Sequence, residues 1–107
     1  MDSTQLKDLA LLALEDLKGQ DILALDVTKL TSIADYMIIC SARSNRHLHA
    51  LVNNVIQEGK KQGIRPYKGH CDTSNEWALV DLGDVIVHVM LPSVRDYYAL
   101  EKLWSHV

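Results

Sequence analysis

The chain predicts an α/β fold: one domain over residues 1–107, built as a mixed β-sheet flanked by helices. Three observations predict it. Residues 76–82 and 85–91 are two apolar runs joined by a Gly83-Asp84 pair, a strong hairpin signal. Residues 4–18 and 45–62 carry apolar side chains at helical spacing. Between those helices lie two more short runs of strand character, so helix and strand alternate along the chain and a mixed sheet with packed helices follows.

The first helix repeats Leu6, Leu9, Ala10, Ala13, Leu14 and Leu17 along one side. Asp2 or Ser3 can cap it, and Gly19 suits the left-handed position after its end. Residues 22–28 alternate loosely and read as a strand, followed by a polar connection at 29–32. Residues 35–41 form a second strand with Tyr36, Ile38 and Cys40 on one face and Met37 and Ile39 on the other. Both faces are apolar, which places it centrally in the sheet. The helix over 45–62 takes Ser44 as its cap and buries Leu48, Leu51, Val52, Val55 and Ile56. Gly59 inside it costs about 1 kcal/mol relative to Ala; Lys60 and Lys61 suit the negative end of its dipole, and Gly63 ends it. Residues 64–70 read as a short edge strand or a loop, since Pro66 and Gly69 weaken a strand; residues 71–75 read as loop.

Pairing Leu82 with Val85 sets the hairpin register. Ala78 then faces Val89 and Val80 faces Val87, an aliphatic face that belongs on the core. The opposite face pairs Trp77 with Met90, Leu79 with His88 and Asp81 with Ile86. Such a face is either covered by another part of the chain or presented to a partner. A Pro92-Ser93 break follows. Ser93 then caps a last helix with Asp96 in its first turn and Val94, Tyr97, Tyr98, Leu100, Leu103 and Trp104 along it.

At 107 residues, 48% hydrophobic and 23% charged, the chain has the composition of an ordinary globular domain. Its net charge of -3 argues against affinity resting on phosphate contacts, so little direct RNA contact is expected and a protein partner is favoured. Cys40 lies in an apolar run and Cys71 in a polar one, which points to a buried thiol and a surface thiol rather than a disulfide. No apolar run is long enough to cross a bilayer, and the acidic first helix is unlike a transit peptide. A cytoplasmic location without membrane contact is expected.

Candidate chemistry is sparse. His47 and His49 are two apart, so on a helix they point in nearly opposite directions and one metal cannot easily take both. Asp72, Asp81 and Asp84 could supply carboxylates, but Asp84 suits a turn and Asp81 a polar spot on the hairpin face. No serine elbow, Walker loop or dinucleotide fingerprint occurs. The 41–45 segment could hold an anion on helix N-terminal amides, yet as a capped connection it needs no ligand. No catalytic, metal or cofactor residues are expected. Trp77, Leu79, His88 and Met90 with Tyr98 combine the residue types that interfaces concentrate at their centres; whether a helix of the chain covers that face stays open at this point.

The sequence resembles the ribosomal silencing factor S family, also called Iojap-like, over nearly its whole length. The resemblance rests on Asp26-Val27, on the run from Ala34 to Ser41, on Ser44-Asn45-Arg46-His47, Gly69, Glu76-Trp77 and Asp81, on Gly83-Asp84-Val85-Ile86-Val87-His88, and on Arg95-Asp96-Tyr97-Tyr98-Ala99-Leu100-Glu101 with Leu103-Trp104. It implies a nucleotidyltransferase-like fold without the catalytic motifs: the enzymes' Gly-Ser turn is Cys40-Ser41-Ala42 here, and no Asp-x-Asp occurs. It also implies a function. Such proteins bind large-subunit ribosomal protein number fourteen on the 50S subunit and block joining of the small subunit by occlusion, so translation falls when nutrients are short. On this resemblance the partner-binding residues are expected to be Trp77, Leu79, Asp81, His88, Met90 and Tyr98. Arg95 is expected to act as a charge anchor through Asp84 or Glu101, and affinity is expected to weaken on acidification from pH 8 to pH 6 through His88, a range that spans the reference value of about 6.5. An open hairpin face could also close a two-fold homodimer of the free protein. The alternatives are a factor for assembly of the large subunit, or a degenerate nucleotidyltransferase using Asp81, Asp84 and Ser41.

Overall fold

A computed structural model describes residues 2–32, 34–64, 70–71 and 76–98, with only the secondary structure given at 70–71 and 96–98. The elements run α1 (Ser3–Asp16), β1 (Gln20–Asp26), β2 (Tyr36–Ser41), α2 (Asn45–Lys61), β3 (His70–Cys71), β4 (Trp77–Asp81), β5 (Val85–Met90) and α3 (Pro92–Tyr98). The sheet order is β1-β2-β5-β4-β3. Among the described strands only β2 with β5 pairs in parallel. The crossover between them carries α2, as a parallel pair requires.

Asp2 starts α1 with a reciprocal capping box: Gln5 N–H donates to Asp2 Oδ1 (2.8 Å) and Asp2 N–H to Gln5 Oε1 (3.1 Å). Its end differs from expectation. The left-handed residue is Lys18 (φ 61), while Gly19 is absent from the positive-φ residues. Gly19 is demanded instead by close packing, because a Cβ there would lie 2.5 Å from Cys40 Sγ and 3.1 Å from the Leu14 carbonyl oxygen. Cys40 is fully buried, and burial pushes its thiol up to about 11. We expect Gly19→Ala to lower stability by about 1.5 kcal/mol through overpacking, and Cys40→Ala to recover part of that loss. Urea titration of the two single variants and the double variant checks it; equal stability of Gly19→Ala and the native chain would refute it.

Ser44 caps α2 by accepting from His47 N–H (3.1 Å), and Gly63 (φ 77) follows its end. Leu48, Leu51, Val52 and Val55 are completely buried on its inner side, each worth about 1.5–3 kcal/mol of burial. Asn54 Nδ2 donates to the Ala13 carbonyl (2.7 Å), pinning α2 to α1. The two helices cover one face of the sheet over Ile38, Cys40, Ala78, Val80, Val85, Val87 and Val89. Leu17, expected in the buried stripe of α1, sits past the helix end and is 37% exposed.

The hairpin register is the predicted one, from Trp77 opposite Met90 to Asp81 opposite Ile86. Leu82 N–H donates to the Val85 carbonyl (2.9 Å) around Gly83, whose φ of 95 no ordinary residue adopts without strain. Pro92 opens α3 rather than breaking the chain before it, and the Leu91 carbonyl accepts from Val94 and Arg95 N–H (both 3.0 Å). Proline fits that first position because its missing N–H would have no helical partner; Ser93, the expected cap, lies inside the first turn. Of the ambiguous 64–70 segment, His70 begins the short edge strand β3, and 65–69 lie outside the described residues. Among the described residues no helix is long and apolar enough to cross a membrane.

Candidate protein-docking surface

Trp77, Leu79 and Asp81 on β4 and Ile86, His88 and Met90 on β5 share the face opposite α1 and α2, as strand alternation dictates. The structure covers part of this face. Met90 is fully buried in a second core with Val27, Met37 and Ile39, and Leu25, Leu30, Trp77 and Val94 pack around it. The expectation that Met90 lies open for a partner is therefore overturned. The segment after β1 folds back as a turn, with Leu30 N–H and Thr31 N–H both donating to the Val27 carbonyl (3.0 Å each). That turn adds Val27 and Leu30 to this core at the Tyr36–Val85 end of the sheet, while α3, which starts directly after β5, adds Val94. Read as a polar connection, residues 29–32 hid this role; the apolar pair at 27 and 30 was the available signal.

His88 is 7% exposed, and its ring is held. Trp77 Nε1–H donates to His88 Nδ1 (3.1 Å), and the two rings lie 5.8 Å apart, tilted by 48°. An indole N–H can only donate, so Nδ1 accepts and the imidazole proton sits on Nε2. Burial pushes His88 down to about 4. It therefore stays neutral from pH 8 to pH 6, and the expected weakening of affinity in that window through this residue is corrected: its charge changes only in more acid solution.

Asp81 is half-buried and shapes the turn, with its Oδ1 accepting from Gly83 N–H (2.9 Å). Asp84 is exposed, and its carbonyl accepts from Asp35 N–H (2.8 Å) and Tyr36 N–H (3.1 Å). What stays accessible on this face is a half-buried strip of Trp77, Leu79, Asp81 and Ile86. Tyr98 closes α3, but its side chain lies outside the described residues, as do those of Cys71, Leu100, Leu103 and Trp104.

The remaining polar candidates bond within the chain. Arg95 Nη1 donates to the Asp21 carbonyl (2.6 Å) and to Ser41 Oγ (2.9 Å). These contacts sit at the Ser41–Met90 end of the sheet, away from the Gly83-Asp84 turn, so the proposed link from Arg95 to Asp84 is corrected; Glu101 lies outside the described residues. Asp21 carries φ 48 beside a register shift in β1, a strained bulge whose carbonyl the guanidinium satisfies. We expect Arg95→Met, which keeps the aliphatic stem, to lower stability by about 1.5 kcal/mol. Thermal unfolding of the two proteins checks it; an unchanged midpoint would count against the tether.

His47 also ties elements together. Its Nδ1 accepts from Arg43 N–H (2.9 Å), which leaves Nε2 to donate to the Leu17 carbonyl (2.8 Å). It thereby joins the start of α2 to the end of α1, a role that spacing along the sequence does not signal. Among the described residues no three His, Cys, Asp or Glu side chains come together as a metal site.

Comparison with known proteins supplies a second line. The profile of a family described as "Ribosomal silencing factor during starvation" matches residues 1–107. A Chromobacterium violaceum protein named ribosomal silencing factor RsfS is 49% identical over 98% of this chain and 86% of its own length. The Bacillus subtilis protein of that name is 38% identical over 98% of this chain and 89% of its own. A mouse protein named mitochondrial assembly of ribosomal large subunit protein 1 is 36% identical over 92% of this chain and 44% of its own length. A crystal structure of a Chromobacterium violaceum protein superposes with a TM-score of 0.95 at 48% identity, covering 98% of this chain and 88% of the other.

Proposed function

The chain belongs to the ribosomal silencing factor family, and from that membership we propose that it represses translation by binding, without turnover, as a cytoplasmic protein. The partner in this reading is large-subunit ribosomal protein number fourteen on the 50S subunit. Occupying that protein's intersubunit surface keeps the small subunit from joining when nutrients are limiting. The observation that carries the reading is the strip of Trp77, Leu79, Asp81 and Ile86 on the sheet face opposite the helices, which leaves an indole partly open beside aliphatic side chains. Aromatic anchors of this kind dominate protein–protein affinity. The net charge of -3 fits a protein surface better than bare RNA. A free protein with this strip could pair through it across a two-fold axis, in competition with the ribosome.

A second reading, a factor for large-subunit assembly, is favoured by the printed name of the mouse relative. Sucrose-gradient sedimentation separates the two. For silencing, the protein travels with mature large subunits and, added before small subunits, diminishes the joined 70S peak. For assembly, it travels with immature large-subunit particles and leaves joining of mature subunits unchanged. Absence from every ribosomal fraction would refute both.

A further inference from the structure

We infer that His88 is a positioning residue for Trp77: it holds the indole in one orientation, so that a partner meets a fixed ring face whose N–H is already bonded inside the chain. The inference rests on the reading that Trp77 docks on the ribosomal protein, and it names the chemistry of that contact.

The geometry carries it. Trp77 lies on β4 directly opposite Met90, and His88 on β5, two residues before Met90, sits diagonally across from it. On one face of an antiparallel pair, long side chains reach such diagonal neighbours. The hydrogen bond from Nε1 to Nδ1 is 3.1 Å, and the 48° tilt brings the rings together without stacking them. His88 is nearly inaccessible, whereas Trp77 is half-buried. A partner can therefore touch the indole but hardly the imidazole.

Three consequences follow. A tryptophan held in one rotamer loses less side-chain freedom on docking than one that swings, so affinity rises without any added contact. With its N–H engaged internally, the indole offers a partner no polar atom, only carbon and π-surface. The complementary group on the partner is then aliphatic or cationic rather than a hydrogen-bond acceptor. Asp81, half-buried on the same strand face, and the acidic balance of the chain favour the cationic choice. Last, the bond needs an acceptor at Nδ1, which a neutral ring provides and an apolar isostere does not.

The test uses the full chain labelled with 15N at tryptophan, Trp104→Phe assigning the two indole signals, and purified large-subunit ribosomal protein number fourteen as the binding probe. In the native chain the Trp77 indole proton exchanges slowly with solvent. His88→Leu speeds that exchange at least about tenfold and weakens binding by about tenfold, while His88→Asn, which restores an acceptor near Nδ1, stays within about threefold of native in both. On a Trp77→Ala background, His88→Leu changes affinity less than about twofold, because nothing remains to be positioned. A folded His88→Leu with native affinity overturns the inference. So does an undiminished tenfold loss on the Trp77→Ala background, which would make His88 a contact in its own right. If His88→Leu does not fold, fast exchange of the native indole proton, or a tenfold loss in His88→Asn, overturns it equally. Failure of the native chain to bind the probe would refute the docking reading alone, and the exchange measurements would still decide whether His88 holds the ring.

Discussion

Lowering the pH from 7 to 4 is expected to remove about 3 kcal/mol of folding stability through His88 alone. In the unfolded chain this imidazole titrates near 6.5, and burial lowers it to about 4 in the fold. The unfolded state therefore binds the proton first. Stability from this group is fully present above pH 6.5, declines as pH falls through the window between the two values, and is lost below about 4. A shift of that size corresponds to about 3 kcal/mol, a large share of the stability of a domain this small. The physical cause is desolvation: β4, β5 and the Trp77 indole beside His88 leave almost no water to solvate an imidazolium, and its Nδ1 lone pair already serves Trp77. Asp26, whose carboxylate accepts from Thr28 N–H and Oγ1–H and is held below its usual value of 3.8, acts only at the acid edge of that window. Urea titrations at pH 7, 5.5 and 4.5 measure the slope. His88→Asn should flatten it between 6.5 and 4.5; the same slope in both proteins would show that another group is responsible.

Trp77→Ala is expected to weaken binding to large-subunit ribosomal protein number fourteen by about 2 kcal/mol or more, roughly thirtyfold, while the chain stays folded. The indole is the largest side chain on the accessible strip, and truncating it removes both area and the internal bond to His88. Leu79→Ala, on the same strip but smaller, should lose less. Met90→Ala offers the contrast: its side chain is completely buried in the core it shares with Met37 and Ile39, so its truncation is read in unfolding, not in docking. Titration calorimetry on the three folded variants ranks them. Native affinity in Trp77→Ala would remove the strip as the docking surface.

Much of this was legible along the chain, because strand alternation and helical spacing are local. The hairpin register followed from a two-residue turn and an aliphatic face, since a slip by one residue would have turned every valine outward. The central place of β2 followed from apolar residues on both of its faces. The site was half legible. Which residues share the face came from the same alternation, but which of them stay accessible did not. Met90 and Trp77 are directly opposite in register, yet one is sealed and the other is half-open. The chain turns at Pro92 straight after β5 and α3 brings Val94 back onto the core that holds Met90, and no local period announces where that helix lands.

The sequence by itself determined the element order, the faces of the sheet and the family, because each depends on residues near one another or on a pattern along the chain. Only the tertiary structure decided that Gly19 is there for Cys40, that Arg95 bonds a bulge in β1, and that His88 supports the indole beside it from within. Those three are contacts between segments far apart in sequence or across strands, where packing distance, not residue type, settles what a side chain does.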